Sequence, residues 1–303
     1  MFKVSIGIMS FNEEANIEGL IGTLLKENIS PHVLVEVIIV SSGSTDNTDS
    51  IVRDIAKNDK RVRLLTQERR HGKNSAINLY LAEKDSNIDV VIIFSGDVIL
   101  KQGCLKLFIE PFRGTNVGMV GGRPVPLNDT NTFFGFAGHL IWEMHHRVAL
   151  VNPKLGEAVA FRNIISKIPE DLSVDEAMIE FLIKKKGYGL FYCPDIVMYN
   201  KALDNLGDFL RQRRRIEVGH FYLKRRYGYK VSTDIMGAKL KILSALLMSD
   251  TYYSSRLHWV LCCLCLTLYS RFLAYCDIFV FHKAHVIWHR PTDIKSPCIK
   301  TIQ

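Results

Sequence analysis

Four short aliphatic runs within the first hundred residues, each handing over to small polar residues, constrain this chain more than any other feature. Val4–Met9 leads into Ser10-Phe11-Asn12-Glu13-Glu14, and Val35–Val40 into Ser41-Ser42-Gly43-Ser44-Thr45-Asp46-Asn47-Thr48. Val62–Thr66 precedes His71-Gly72-Lys73-Asn74, and Val90–Phe94 ends in Ser95-Gly96-Asp97. Uninterrupted β-branched runs such as Val37–Val40 and Val90–Phe94 read as strands covered on both faces, as in a parallel sheet between helices. Helix patterns separate them: Asn12–Lys26 with Asn12 as N-cap, a segment ending at Lys57 that Thr45 or Asp46 caps, and Lys73–Glu83. Repeated βα units predict a Rossmann-like α/β fold, whose ligands bind beyond the carboxyl ends of the strands. The Gly, Ser and Asp there offer backbone N–H groups, hydroxyls and one carboxylate, which suits a phosphate-bearing or metal-bearing ligand such as a nucleotide.

Beyond Asp97 the pattern is mixed. Val117–Gly122 predicts a strand, Phe133–Val148 an aromatic-rich helix and Ala158–Arg162 a short strand. Ser173–Lys186 predicts a helix with Val174, Ala177, Met178, Phe181 and Leu182 on one face. Gly187-Tyr188-Gly189 stops it, and Leu190–Cys193 is expected to begin another strand before Pro194. No linker rich in Pro, Gly or Ser divides this half from the first, so it is expected to build α+β structure onto the same sheet. Leu206–Arg226 is a basic helical region and Ala238–Met248 an amphipathic one. Leu257–Phe281 is overwhelmingly apolar and long enough to span a bilayer core, although Arg271 and Asp277 interrupt it and its fully apolar centre is only Trp259–Ser270. The expected division is a main α/β domain over residues 1–228 and a helical, membrane-associated region over 229–303. A buried helix of a soluble protein is the alternative for the apolar segment.

With 303 residues, 48% of them hydrophobic, the chain can bury a sizeable core, and its net charge of +8 favours anionic partners. Nucleic acid is not among those expected, because the basic residues up to Arg226 do not sit on a recognisable binding module with interleaved aromatics. The seven cysteines form no regular framework, and Cys262, Cys263, Cys265 and Cys276 share the apolar stretch. An odd count without a secretory pattern points to a reducing compartment. With a strand expected from Val4, no signal peptide is expected.

Each polar constellation has a chemical reading and a structural one. Asn12-Glu13-Glu14 could contact a base or ribose, or cap a helix and complement its dipole. Thr45, Asp46 and Thr48 are ordinary capping residues. Lys73 could reach a diphosphate from a helix start or lie in solvent; the spacing is not that of a Walker loop. Asp97 closes a wholly apolar strand, and a single hard carboxylate beside a diphosphate is a common way to hold Mg²⁺ or Mn²⁺. Asp175-Glu176 opens a helix, where acids suit the dipole and where one could also serve as general base. Glu180, one turn on, is expected to face solvent. In Gln212-Arg213-Arg214-Arg215-Ile216, Arg211 and Arg215 share one helix face and Gln212 and Ile216 another; one arginine could clamp a diphosphate and the rest meet anionic lipid. His139, His145, His146 and His220, scattered among aromatics, are expected to be structural.

Taken in order, Val4–Ile17, Val37–Thr48, Gly72–Asn78, Val90–Val98, Gly118–Arg123, Gly156–Arg162, Asp175–Tyr188 and Gln212–Ile216 resemble a family 2 inverting glycosyltransferase of the GT-A fold, over roughly residues 1–226. The resemblance implies transfer of a sugar from a nucleotide-sugar, UDP-linked by default and GDP-linked as an option, to a hydroxyl of a lipid-linked or glycan acceptor. It also implies Mg²⁺ or Mn²⁺ on the diphosphate and a catalytic domain on the cytosolic membrane face. By position, Phe11, Asn12 and Glu14 match the nucleotide-binding entry loop, Ser42 the base-binding acid, and Lys73 a residue near the nucleoside diphosphate. Asp97 matches the last acid of the D-x-D metal motif. Glu176 occupies the general-base position with Asp175 as alternative, and Gln212 and Arg215 match Q-x-x-R-W. Three departures stand out: Ser95 replaces the first acid of D-x-D, Ser41-Ser42 replaces Asp-Asp, and Ile216 replaces the tryptophan of the processive motif. Single transfer is therefore expected rather than polymer synthesis. The rival is a catalytically degenerate nucleotide-binding, membrane-associated scaffold, as the reduced D-x-D would suggest.

Overall fold

A computed structural model describes residues 1–232 and 236–283, with His285 and Ile287. Its centre is an eight-stranded mixed sheet in the order β3-β2-β1-β4-β7-β6-β8-β5. The first half supplies β1 (Lys3–Ser10), α1 (Ile17–Lys26), β2 (Val33–Ser42), α2 (Thr48–Asn58), β3 (Val62–Gln67), α3 (Lys73–Glu83) and β4 (Val90–Ser95). These four strands are mutually parallel. The second half extends the same sheet with β5 (Ile99–Leu100), β6 (Val117–Pro126), β7 (Val159–Arg162) and β8 (Gly189–Asn200). Here β7 is antiparallel to both β4 and β6, while β6 and β8 are parallel.

Alternation along the inner strands explains why both faces are covered. Val4, Ile6 and Ile8 of β1 join Val90, Ile92 and Phe94 of β4 in one core beneath α1, α2 and α4 (Leu105–Ile109). Val91 and Ile93 point to the other face, beneath α3 and α6 (Asp175–Lys185). Burial of these aliphatic side chains is the main stabilising term. On that second face the Tyr80 ring lies directly on Gly7, where an added Cβ would come within 2.7 Å of it. Its hydroxyl donates to Ser5 Oγ at 2.9 Å, and Ser5 Oγ donates to Glu36 Oε1 at 2.9 Å.

Three local expectations are corrected. The first helix starts at Ile17 rather than Asn12, and Asn12 is no N-cap: it lies in left-handed backbone (φ 57°), its side chain engaged with the next strand's loop. The last strand runs through Pro194 to Asn200. It tolerates the proline because the β6–β8 pairing skips from Tyr192 to Val197, so the missing N–H falls in an irregular stretch with no ladder bond to lose. Glu180 is fully buried rather than solvent-facing, for reasons given below.

The remaining helices are α5 (Phe133–Val151), α7 (Leu206–Tyr227), α8 (Met236–Ser249), α9 (Thr251–Ser254) and α10 (Leu257–Phe279). Phe136, Ala137 and Leu140 of α5 pack with Phe209, Leu246, Tyr253 and Val260 in a third apolar cluster, which draws the C-terminal helices onto the body. Both charges inside α10 find partners on α7. Arg214 makes a two-pronged bond to Asp277 at 2.8 and 2.6 Å, and Arg271 donates to Glu217 at 3.1 Å. The outer face of α10 is apolar and bare: Leu261, Leu268, Phe272 and Tyr275 are each more than half exposed. Among the described residues, α10 is the one helix long and apolar enough to cross a membrane. Cys262 and Cys265 are exposed there, whereas Cys263 is packed inward.

Candidate active site

The carboxyl ends of β1, β2 and β4 meet at one edge of the sheet, and their loops are stitched together. Asn12 Oδ1 accepts the Thr45 N–H at 2.8 Å, Glu14 Oε2 accepts the Asn47 N–H at 3.0 Å, and Asp46 Oδ1 accepts the Thr48 N–H at 3.0 Å. Asn12 and Glu14 therefore fix the shape of this rim. The Arg70 guanidinium lies 4.1 Å over the Phe11 ring, a cation–π stack at the mouth. Ser42 donates to Gln67 Oε1 at 2.8 Å, and Gln67 Nε2 donates to Ser75 Oγ at 3.1 Å. A hydroxyl–amide relay thus stands where the resemblance led one to expect an acid.

Lys73 opens α3 immediately after Gly72, whose φ of 94° turns the chain into the helix. One and five residues further on, Asn74 and Asn78 grip the segment that leads to α6. Asn74 Nδ2 donates to the carbonyls of Pro169 and Leu172 at 2.6 and 3.0 Å. Asn78 exchanges a pair of bonds with the Ile168 backbone at 2.9 and 2.8 Å. That grip brings the first turn of α6 to Lys73, whose Nζ donates to Asp175 Oδ2 at 2.7 Å and Glu176 Oε1 at 2.9 Å. On the far side α7 approaches closely because residue 219 is glycine; a Cβ there would stand 2.5 Å from Ser173 Oγ. Ser173 Oγ in turn donates to the Arg215 carbonyl at 3.0 Å. The Arg215 guanidinium is buried within reach of the charges of Asp175, Glu176 and Glu157. Gln212 lies one turn earlier on the same helix.

The two acids behave differently because their surroundings differ. Burial, reinforced by the Glu176 charge, raises the Asp175 carboxyl to about 6. Burial also opposes ionisation of Glu176, but the Lys73 ammonium outweighs it and holds that carboxyl below its ordinary range. Asp175 is buried, whereas the Glu176 side chain is partly open to the cleft. Asp97 is exposed at the end of β4, with the half-buried Ser95 hydroxyl two residues earlier. Hard, oxygen-only donors of this kind fit Mg²⁺ or Mn²⁺ and not a soft metal.

Sequence reasoning missed Glu157, which sits between Gly156 and β7 in left-handed backbone (φ 66°). Burial, with Asp97 and Glu176 beside it, pushes its carboxyl up to about 8. The neighbouring Gly156 was the only hint, since a turn before a short strand carries no chemical signature. Glu180 was misjudged because its partners come from elsewhere in the chain: the Tyr229 hydroxyl donates to it, and Lys154 and Lys184 lie 3.5 and 3.6 Å from its oxygens. Of the histidines, His146 Nδ1 bonds the Tyr192 hydroxyl at 2.7 Å. Burial holds His145 down to about 3, with the Lys154 charge adding to the effect.

Residues 5–166 match the family described as glycosyl transferase family 2. Poly-beta-1,6-N-acetyl-D-glucosamine synthase of Staphylococcus aureus is 24% identical over 230 residues, covering 72% of this chain and 54% of the relative, so the chain spans about half the length of the curated relatives it matches. Among solved structures, mannosyltransferase PcManGT of Pyrobaculum calidifontis, in complex with GDP-Man and Mn²⁺, superposes with a TM-score of 0.63 at 19% identity. That match covers 92% of this chain and 88% of the other. Glucosyl-3-phosphoglycerate synthase of Mycobacterium tuberculosis, bound to Mn²⁺ and UDP, gives 0.51 at 18% identity, over 76% of this chain and 82% of the other. At such identities the likeness establishes the GT-A-like fold.

Proposed function

Because the chain belongs to glycosyl transferase family 2, we propose that it transfers a sugar from a nucleotide-sugar to a hydroxyl acceptor in one inverting displacement. The observation that carries this reading is Lys73 bridging Asp175 and Glu176 at the strand-end cleft that Asp97 borders. A carboxylate fixed at the base of such a cleft is what a general base for an incoming hydroxyl requires. Glu176, the more open of the pair, takes the acceptor's proton onto its carboxylate. Asp175 stays buried and holds Lys73 in place. Phe11 and Ser42 border the space for the base, with Asn12 and Glu14 holding its rim. Lys73, Arg215 and Gln212 meet the diphosphate, where two cations stabilise the charge that grows on the leaving group. Mg²⁺ or Mn²⁺, bound at Asp97, would draw negative charge off the departing nucleoside diphosphate.

The donor is UDP-linked by default, with GDP-linked the option. The bare apolar face of α10, and the basic residues of α7, fit a domain that rests on the cytosolic face of a membrane and takes a lipid-linked or glycan acceptor. The test is a melting panel of UDP and GDP with and without Mn²⁺, followed by a transfer or donor-hydrolysis assay on the same preparations. Metal-dependent stabilisation by one nucleotide, with turnover that falls about 10²–10⁴-fold in Glu176→Gln, is expected. A folded protein that neither diphosphate stabilises would instead be the non-catalytic scaffold.

A further inference from the structure

The neighbouring strand delivers a second carboxylate to the Asp97 edge. β7 runs antiparallel to β4 with Val159 beside Ile93, so the chain just ahead of β7 lies alongside the Ser95–Asp97 end of β4. Glu157 occupies that position, within reach of the Asp97 and Glu176 charges, and the Asn200 side chain lies near enough to favour its charged form. Asn200, at the end of β8, is only 7% exposed, and its Oδ1 has no hydrogen-bond partner. A buried amide oxygen in that condition needs a donor or a cation that comes with a ligand. The charges point the same way. Asp97, Glu157, Asp175 and Glu176 bring four carboxyl groups to the cleft, against two cationic side chains, Lys73 and Arg215.

Resting on the donor-binding reading above, we propose that Glu157 is the second carboxylate ligand of the divalent metal at Asp97, replacing the acid that Ser95 does not supply. Asn200 is its positioning residue, which aims the carboxylate across the β4–β7 seam. The arrangement moves one ligand from the same strand to the adjacent one and leaves the donor set all oxygen, as Mg²⁺ and Mn²⁺ require.

The test measures Mn²⁺ binding directly, from the electron paramagnetic resonance signal of free Mn²⁺, on the full chain with saturating UDP and, in parallel, GDP. Glu157→Gln keeps the size of the side chain, and Glu157→Gly suits the left-handed backbone, so both should melt like the wild type without metal. Each is expected to weaken Mn²⁺ binding at least tenfold, and Asp97→Ala to abolish it. Wild-type Mn²⁺ affinity in either Glu157 variant, with Asp97→Ala still inactive in binding, would overturn the assignment of Glu157 and leave the donor reading intact. Absence of Mn²⁺ binding by the wild type with both diphosphates would overturn the donor reading and the assignment together.

Discussion

At the scale of single residues, the site is a balance of charges whose outcome depends on Lys73. Its ammonium keeps Glu176 ionised and leaves Asp175, deeper and beside that negative charge, harder to ionise. If Glu176 is the base, it is already deprotonated from mildly acidic pH upward. The rate should then show no ionisation step of the base near pH 6, whereas an activity that rises about tenfold per pH unit up to about 6 would assign the role to Asp175. Lys73→Met removes the opposing charge, so both carboxyls titrate at higher pH, and an acidic limb should enter the pH–rate profile of the variant. The profile of kcat/KM for both proteins is the measurement. Asp97 was legible in the sequence because it follows an unbroken apolar run, and Lys73 because it opens a helix just after His71-Gly72. Glu157 was not, since what brings it to the site is a left-handed turn and an antiparallel register between segments some sixty residues apart.

At the scale of elements, α3 acts as a clamp. Its Asn74 and Asn78 satisfy the backbone of residues 168–172, an irregular stretch with few bonds of its own, and so fix where α6 begins. Asn78→Ala leaves a buried carbonyl and a buried N–H of Ile168 without their partner, a loss of about 1–3 kcal/mol. Urea unfolding should show that loss with an unchanged slope, and turnover should fall more than the stability change accounts for, because Asp175 and Glu176 lose their register with Lys73. The strands of the first half were readable from their aliphatic runs, and α6 and α7 from their periodicity. The clamp was not, for an asparagine reveals nothing of a carbonyl ninety residues away. Periodicity also failed for Glu180 and Pro194, where distant partners and a skipped ladder decided the outcome.

At the scale of the molecule, the C-terminal helices pack on the catalytic body through α5 and α7 while α10 leaves an apolar strip uncovered. If that strip rests in lipid, Leu261→Asp with Leu268→Asp should release the protein from vesicles. Each leucine contributes roughly 1.5–3 kcal/mol on burial, so the double variant should lose at least about a hundredfold in partitioning. Flotation of the full chain with vesicles reads this directly, and equal recovery of both proteins in the floating fraction would mean that the strip covers something else.

The ion pairs between α7 and α10 have a mechanical consequence. Arg214 and Glu217 grip α10 from the same helix whose other side carries Gln212 and Arg215, all four within residues 212–217. More than one turn of a continuous α7 is thereby shared between the contacts to α10 and the cleft. A tilt or shift of α10 would carry Gln212 and Arg215 with it, like the two ends of a rocker arm. If α10 rests on a membrane as proposed, that surface also sets the aim of the cleft, and the helix serves alignment as much as attachment.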